Sequence, residues 1–341
     1  MMQSIGSLII DIAGTKLSPE DTDILSHPLV GGVIFFSRNY ESRAQLQELT
    51  RQIRLTSKQP LLIMIDQEGG RVQRCIKEFT RLPAMAVFGK LYDQSPENAC
   101  QKARECGWLM AAELLTVGID LSLAPVLDLN KNLSHVIGDR AFHSMPEIVS
   151  QLTQHFIAGM KDAGMAAVGK HFPGHGSVSV DSHVAIPNDT RKMNEIEQED
   201  LLPFVALIRS GIKAIMAAHI VFSAVDELPV SYSRCWLQEI LRNKLGFSGA
   251  IFSDDLNMEG ANVSSSYAHR VAEARAAGCD FALLCNNRQG VIEVLDQLKS
   301  NEHQINFEKW SVLQGNFSRI DQPLSHIVRW QEARNFLLSV S

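Results

Sequence analysis

The segment Lys170–His183 contains three histidines and an aspartate, which makes it the first candidate for chemistry. Pro173 and the glycines at 174 and 176 disfavour a helix, so the segment is expected to be a long loop. In an extended chain residues i and i+2 project to the same side, so the Asp181 carboxylate can reach the His183 imidazole. The carboxylate fixes the tautomer and favours the protonated ring. Because histidine titrates near neutral pH, the pattern predicts His183 as a general acid/base with Asp181 as its partner.

The same segment allows three further interpretations. A metal ion shared by His171 and His175 would require a helix that places both on one face, and no glutamate completes an H-E-x-x-H pattern. Ser182 as a nucleophile would point away from His183 on an extended strand, and no nucleophile elbow is present. A surface loop with incidental histidines is the third interpretation. We expect neither a metal ion nor a cofactor.

A second candidate is the pair of acids Asp254 and Asp255, which follows the apolar run Ile251-Phe252. A carboxylate at the end of a strand could attack the anomeric carbon of a sugar. Strand ends also often close with an aspartate that caps the following helix, and Asp255 suits that role. The chemistry of the residues therefore leaves the choice between the two acids open.

A third candidate is the segment Ile65–Arg74, in which paired glycines let the backbone turn sharply and approach a ligand. Asp66 could accept hydrogen bonds from two neighbouring hydroxyls, and Arg74 could donate to another. Arg140 offers a further donor, although any one arginine can equally be a solvated surface charge. The segment lacks the spacing of a dinucleotide or phosphate loop, so we expect it to bind hydroxyl groups.

These candidates lie among short apolar runs that alternate with longer amphipathic stretches. Continuous apolar runs are typical of parallel strands covered by helices on both faces. Ser18-Pro19 and Ser95-Pro96 are typical helix starts, a cap followed by proline. The predicted strands are Ser7–Ile12, Gly32–Phe36, Leu61–Asp66, Leu121–Asp128, Ala166–Phe172, Lys213–Ile220, Gly249–Asp254 and Asp280–Asn286. The predicted helices include Ser42–Lys58, Pro146–Gly164, Ile196–Arg209, Arg234–Lys244, Tyr267–Ala277 and Val291–Lys299.

About eight strand–helix units indicate an α/β fold, either a single-domain (β/α)8 TIM barrel or an open doubly wound sheet. Asp66, Lys170 and Asp254 all lie at the carboxyl ends of predicted strands. A barrel gathers those ends at one mouth, whereas an open sheet spreads them along an edge. We therefore predict a catalytic barrel over residues 1–300. The strand–helix pattern stops there, and residues 301–341 are expected to form a helical extension packed on the outside of the barrel.

The composition excludes several classes of protein. A net charge of −6 argues against the broad basic surface that nucleic acid requires. The amino-terminal residues have no basic region, and their apolar run is too short for a signal peptide or a membrane span. The six cysteines show no C-x-x-C spacing, as is typical of buried thiols in a reducing compartment. We expect a cytoplasmic monomer without nucleic acid or membrane partners.

Taken together, the segments Asp66–Arg74, Lys170–His183 and Ser253–Met258 resemble glycoside hydrolase family 3, and most closely its bacterial cytoplasmic β-N-acetylglucosaminidases of cell-wall recycling. The resemblance extends from about residue 7 to residue 300 in order and spacing. It implies a (β/α)8 barrel that removes terminal, β-1,4-linked N-acetylglucosamine from muropeptide fragments.

The resemblance also implies a role for each candidate residue. Asp254 would be the nucleophile of a retaining mechanism, His183 the acid/base and Asp181 its partner. Because histidine puts no anion beside the leaving group, phosphate could replace water as the acceptor. Two more possibilities stay open: a different sugar specificity, such as that of a β-glucosidase, and a catalytically silent sugar-binding barrel. The residues implied to hold the terminal sugar are Asp66, Arg74, Arg140, Lys170 and His171.

Overall fold

The structure, a computed structural model, describes residues 5–179 and 186–340. Eight parallel strands are hydrogen-bonded in the order β4-β3-β2-β1-β8-β7-β6-β5. Parallel pairing between Val126 and Lys170 joins the two ends of this order, so the sheet closes on itself. The predicted (β/α)8 barrel is confirmed. The strands are β1 (Leu8–Ile10), β2 (Val30–Phe35), β3 (Leu62–Ile65), β4 (Leu121–Ser122), β5 (Val168–Phe172), β6 (Ala214–Ala217), β7 (Ala250–Asp255) and β8 (Phe281–Leu284).

Strand β4 is much shorter than the predicted run Leu121–Asp128. Pro125 lies inside that run and has no N–H to donate to a neighbouring strand. Isolated backbone hydrogen bonds instead connect this stretch to β5. The Val168 N–H donates to the Ala124 carbonyl at 2.9 Å, and the Leu127 N–H donates to the Lys170 carbonyl at 2.6 Å. The irregular stretch still closes the barrel, and it brings Asp128 to the mouth.

The helices agree with most of the predicted boundaries, and the starts at Pro19 and Pro96 are confirmed. The Ser18 side chain makes the predicted capping hydrogen bond, whereas the Ser95 side chain makes none. One predicted helix, Ile196–Arg209, is two short helices separated at Glu199 and Asp200, because the backbone leaves the helical region at Glu199. None of the helices in the described ranges is long and apolar enough for a bilayer crossing. The helices are α1 (Pro19–Leu25), α2 (Arg43–Thr56), α3 (Ala86–Gln94), α4 (Pro96–Leu115), α5 (Pro146–Ala163), α6 (Met193–Gln198), α7 (Leu201–Arg209), a π-helix (Cys235–Lys244), α8 (Tyr267–Ala277), α9 (Arg288–Gln297), α10 (Phe307–Ser311) and α11 (Val328–Val340).

The barrel interior is apolar and is closed at its amino-terminal end by residues that come after the last strand. Trp310 and Leu313 are fully buried in one cluster with interior strand residues such as Phe252 and Phe281, whose rings stack at 4.6 Å. The short strand Ile5–Gly6 pairs antiparallel with Gln304–Ile305 at the same end. The amino-terminal end of the barrel is therefore filled by packed side chains, and we call the cluster of Ile305, Trp310 and Leu313 the floor of the barrel.

Helix α11 lies against the outer face of α4. The Nε and one terminal nitrogen of Arg329 donate to the Glu105 carboxylate, at 2.7 and 2.9 Å, and the Trp330 indole donates to Glu113 at 3.0 Å. Residues 301–340 thus contact the barrel both at its floor and on its side. The proposed division of the chain at residue 300 stays a prediction.

Candidate active site

A cavity of about 530 Å³ opens at the carboxyl-terminal mouth of the barrel. Every predicted site residue in the described ranges lines it; Asp181 and His183 lie outside those ranges. Ser179, the last described residue before that gap, also lines the cavity. Active sites of this fold lie at this mouth because the carboxyl ends of the strands converge there. The predicted site residues that line the cavity are Asp66, Arg74, Arg140, Lys170, His171 and Asp254.

Lys170, in the middle of β5, is at the centre of a set of buried ion pairs with Asp66 and Glu68, here called the ionic frame. Its ammonium lies 2.9 Å from Asp66 and 2.6 Å from Glu68. Arg74 contacts the second oxygen of Asp66 at 3.2 Å. Burial alone would raise the pKa of Asp66, but the facing charges of Lys170 and Arg74 outweigh it and lower that pKa. An ionised, pre-oriented carboxylate of this kind is suited to accept hydrogen bonds from ligand hydroxyls.

Arg140 faces Glu68 rather than open solvent. Its Nε and one terminal nitrogen each bind the Glu68 carboxylate at 2.8 Å, and the other terminal nitrogen donates to the Val136 carbonyl at 3.1 Å. Burial opposes ionisation of Glu68, but Arg140 and Lys170 lower its pKa well below the ordinary value. Glu68 is a site residue that the sequence analysis did not single out. It lies in the Asp66–Arg74 motif, but its partners are distant in sequence.

His171 is held by a second buried carboxylate, Asp128. The imidazole Nδ1 lies 2.7 Å from Asp128 Oδ2, and the backbone N–H of His175 donates to Oδ1 at 2.7 Å. Asp128 is 1% exposed and His171 6% exposed. The predicted strand Leu121–Asp128 did place an acid at the mouth, but its pairing with a histidine could not be inferred from spacing. The His171 and His175 rings meet edge to face, with centroids 6.0 Å apart.

The two acids at the end of β7 differ in what they contact. Asp255 Oδ1 accepts the backbone N–H groups of Asn257 and Cys285, both at 3.0 Å, so this side chain joins β7 to the residues after β8. Burial and the neighbouring Asp254 raise the pKa of Asp255 to about 7. Asp255 therefore stabilises the end of the strand, as a capping aspartate does, although its partners are not a helix terminus.

Asp254 accepts a hydrogen bond from the Asp255 N–H at 2.9 Å. Burial alone would raise its pKa, but the facing His171 and His219, this N–H group and Lys170 together lower it. The Asp254 carboxylate is consequently ionised at neutral pH. Cys285 also lines the cavity, but burial and nearby carboxylates raise the pKa of its thiol, which leaves Asp254 as the better nucleophile.

The loop after β5 begins in close contact with the barrel. A Cβ on Gly176 would lie 1.9 Å from the Leu129 carbonyl, and Gly174 has φ of +141°, so glycine is required at both positions. The Ser177 hydroxyl donates to Asp200 at 3.3 Å, and Arg191 binds the other oxygen of Asp200 at 2.7 Å. The described residues on the two sides of the gap are thus fixed to the same buried acid.

Similarity to known proteins covers nearly the whole chain. The model of the glycosyl hydrolase family 3 N terminal domain matches residues 2–314. Beta-hexosaminidases from Tolumonas auensis and Pasteurella multocida are 50% and 48% identical, over 97% and 98% of this chain and 97% of each relative. A crystal structure of NagZ from Neisseria gonorrhoeae in complex with N-trifluoroacetyl-D-glucosamine has a TM-score of 0.93 at 38% identity, and the match covers 99% of this chain and 98% of that one. With the barrel and the residues of its mouth, these matches show that the chain belongs to glycosyl hydrolase family 3.

Proposed function

We propose that the chain is a retaining exo-β-N-acetylglucosaminidase that removes terminal, β-1,4-linked N-acetylglucosamine from muropeptide fragments during peptidoglycan recycling. The observation that carries this proposal is an ionised Asp254 in the same cavity as the Asp66–Lys170 frame. Two relatives named beta-hexosaminidase and a NagZ structure that holds an N-acylated glucosamine support the choice of sugar.

The shape of the cavity supports attack on a chain end. Interior side chains of the barrel, Met216 and Leu283 among them, line its inner part, and the polar frame stands above them. Its volume of about 530 Å³ lies in the range of small-molecule sites. A pocket with a closed inner end accepts the terminal residue of a glycan and leaves the rest of the chain outside.

In the proposed mechanism Asp254 attacks the anomeric carbon while protonated His183 donates a proton to the leaving oxygen. The C–O bond to the aglycone breaks, and a covalent glycosyl-enzyme forms on Asp254. Neutral His183, oriented by Asp181, then takes a proton from water, which attacks the anomeric carbon and releases Asp254. Asp66, Arg74, Lys170 and His171 hold the hydroxyl groups of the sugar, and Arg140 acts through Glu68.

Trapping of the glycosyl-enzyme tests the nucleophile. Incubation with an activated 5-fluoro-N-acetylglucosaminide should add one sugar mass to the intact protein, and peptide mapping should locate it at Asp254. Asp254→Asn should form no adduct and lose about 10⁴-fold in kcat. Asp255→Asn is the matched control and should still be labelled. An adduct on Asp255, or full activity of Asp254→Asn, would contradict the assignment.

Leaving-group dependence tests His183. His183→Ala should lose most activity on aryl N-acetylglucosaminides with poor leaving groups and little on dinitrophenyl derivatives, because only the former need protonation. Equal losses on both would refute the acid role. The same assays with glucosides and with added phosphate separate a β-glucosidase or a phosphorylase from the proposed hydrolase. Product analysis with N-acetylglucosaminyl-anhydro-muramic acid tests the substrate.

A further inference from the structure

Asp128 is a buried carboxylate below the mouth that contacts two functional segments at once. Its Oδ2 lies 2.7 Å from the His171 ring Nδ1. Its Oδ1 accepts the backbone N–H of His175 at 2.7 Å and that of His171 at 3.3 Å. Asp128 itself is 1% exposed and does not line the cavity, so it can act on a ligand only through these partners.

We propose that Asp128 is a positioning residue, which sets the tautomer of His171 and fixes the first turn of the loop after β5. The proposal deepens the proposed function, since it names what orients one of the sugar-holding side chains. It involves no proton transfer to or from Asp128 during the reaction.

The tautomer follows from the charge of Asp128. Burial would raise the pKa of this carboxyl, but His171 and His175 outweigh burial and lower it, so Asp128 is ionised. An ionised carboxylate only accepts hydrogen bonds, and the proton of a neutral His171 must then be on Nδ1. Nε2 is the remaining polar atom of the ring, and His171 lines the cavity. In the neutral ring, Nε2 is therefore an acceptor for a sugar hydroxyl.

Through its contact with the His175 N–H, Asp128 also fixes the backbone of the residues that follow β5. The loop turns at Gly174 and passes Leu129 at Gly176, where no side chain fits. The His175 N–H bond to Asp128 lies between these two glycines and fixes the turn to the barrel. One carboxylate therefore sets both the orientation of a sugar-holding ring and the direction in which the chain leaves β5.

Asp120 offers a matched control on the same stretch of chain. It is 0% exposed, contacts Arg54 at 2.9 Å, and accepts the N–H groups of Ile63 and Gly315 at 2.8 and 3.0 Å. Asp120 thus equals Asp128 in burial and in its number of backbone partners, but it lies at the opposite end of the barrel. A purely structural role for a buried aspartate predicts the same outcome for both residues.

The test is Asp128→Asn beside Asp120→Asn. The amide oxygen can still accept the His175 N–H, but the amide NH2 then faces Nδ1 and forces the proton of His171 to Nε2. At a pH where the His171 ring is neutral, nitrogen-15 NMR should show an Nδ1–H tautomer in the wild type and an Nε2–H tautomer in Asp128→Asn, with the resonances assigned by His171→Gln. We expect kcat/KM to fall about 10²-fold, with a rise in KM, as when orienting partners of functional histidines are removed. Asp120→Asn should keep the tautomer and stay within about twofold in kcat/KM.

Three outcomes would overturn the proposal: an Nε2–H tautomer in the wild type, an unchanged tautomer in Asp128→Asn, or equal kinetic losses in the two aspartate variants. A double mutant adds a further check, because Asp128→Asn should raise KM much less in a His171→Gln background than in the wild type. The wild-type tautomer is measured without turnover and remains decisive if Asp128→Asn does not fold. A wild-type chain that cleaves no N-acetylglucosaminide would contradict the proposed function and leave the tautomer result intact.

Discussion

The two ends of the barrel use buried groups in opposite ways. At the amino-terminal end Trp310, Leu313 and Ile305 fill the interior with apolar side chains. At the carboxyl-terminal end a lysine, three arginines and several carboxylates line an open cavity. The apolar end stabilises the fold, whereas the polar end uses the rigidity of the strands to hold charged groups in place. Stability and chemistry are therefore separated along the axis of the barrel.

Asp120 and Asp128 show this contrast within one stretch of chain. Burial raises the pKa of Asp120 despite the facing Arg54 and two backbone N–H groups. The same burial is outweighed at Asp128 by His171 and His175, and the pKa of that carboxyl is lowered. The pKa of the buried carboxylate near the mouth is thus lowered by groups that also line the cavity, whereas the pKa of the one at the floor stays above its ordinary value.

The largest effect is expected from Lys170→Met at the polar end. Loss of the ammonium leaves Asp66 and Glu68 without their shared cation, so we expect about a 10³-fold loss of kcat/KM and a loss of about 3 kcal/mol in the free energy of unfolding. Urea unfolding and steady-state kinetics measure both. Lys309→Met is the control, because its bond to Asp280 lies outside the mouth and its side chain is 31% exposed. Similar losses of kcat/KM and of stability in both variants would contradict the proposed difference between the mouth and the rest of the barrel.

Trp310→Ala should act on stability alone. It removes a fully buried indole from the floor of the barrel, and large-to-small changes of this kind cost about 3–5 kcal/mol. We expect a lower urea midpoint with KM unchanged within about twofold. Leu338→Ala on α11, where the side chain is 48% exposed, should change the free energy of unfolding by less than about 0.5 kcal/mol. A marked rise in KM for Trp310→Ala would show that the floor and the mouth are coupled.

Asp255→Asn should change how stability depends on pH. The pKa of Asp255 is raised to about 7 in the folded chain, against about 3.9 for an unfolded aspartate. Its contribution to stability is fully present below about pH 4 and is lost as the pH rises to about 7. The amide that replaces the carboxyl does not titrate, so the variant should gain on the order of 4 kcal/mol relative to the wild type between these pH values. Thermal unfolding across the pH range measures the difference.

For Asp254→Asn we expect the opposite dependence of the free energy of unfolding on pH. The pKa of Asp254 is lowered, so its ionised form contributes stability that is present at neutral pH and is lost only as the pH falls below about 4. Identical pH profiles for the two variants would show that the neighbouring acids do not differ in the way that their contacts indicate.

The smallest effect is expected at the rim of the mouth. Arg38 binds Asp11 and donates to Asn286 at 2.8 Å, but its side chain is 37% exposed. We expect Arg38→Gln to cost less than about 1 kcal/mol in the free energy of unfolding and less than about threefold in kcat/KM. Arg51→Gln on α2, which removes an exposed i,i+3 pair with Glu48, is the control for stability. A large kinetic loss at Arg38 would extend the functional surface to the rim.

The barrel could be predicted from the sequence because its apolar runs and helix starts are local patterns. Asp66, Lys170 and Asp254 were placed at one mouth because they end separate strands. Glu68 and Asp128 were not singled out as site residues, since their function depends on partners 43 or more residues away. The short β4 is a local example of the same limit. Pro125 can be read from the sequence, but the isolated hydrogen bonds that replace regular strand pairing around it cannot.

The choice between Asp254 and Asp255 shows where residue types stop being informative. Both acids end the same strand, and what distinguishes them comes from other parts of the chain: the backbone N–H group of Cys285 at Asp255, and the facing His171 and His219 at Asp254. For Asp181 and His183, in contrast, the spacing within one segment is itself the basis for pairing them. Their pairing stays a prediction.

The position of the floor in the chain has a consequence for synthesis. Ile305, Trp310 and Leu313 follow all eight strands, and Ile305 pairs with Ile5 at the other end of the sequence. The interior cannot be sealed until almost the whole chain has left the ribosome, so the early strands keep apolar faces exposed during translation. Released chains truncated before residue 304 should accordingly be cleaved rapidly by protease, and released chains truncated after residue 320 should resist it.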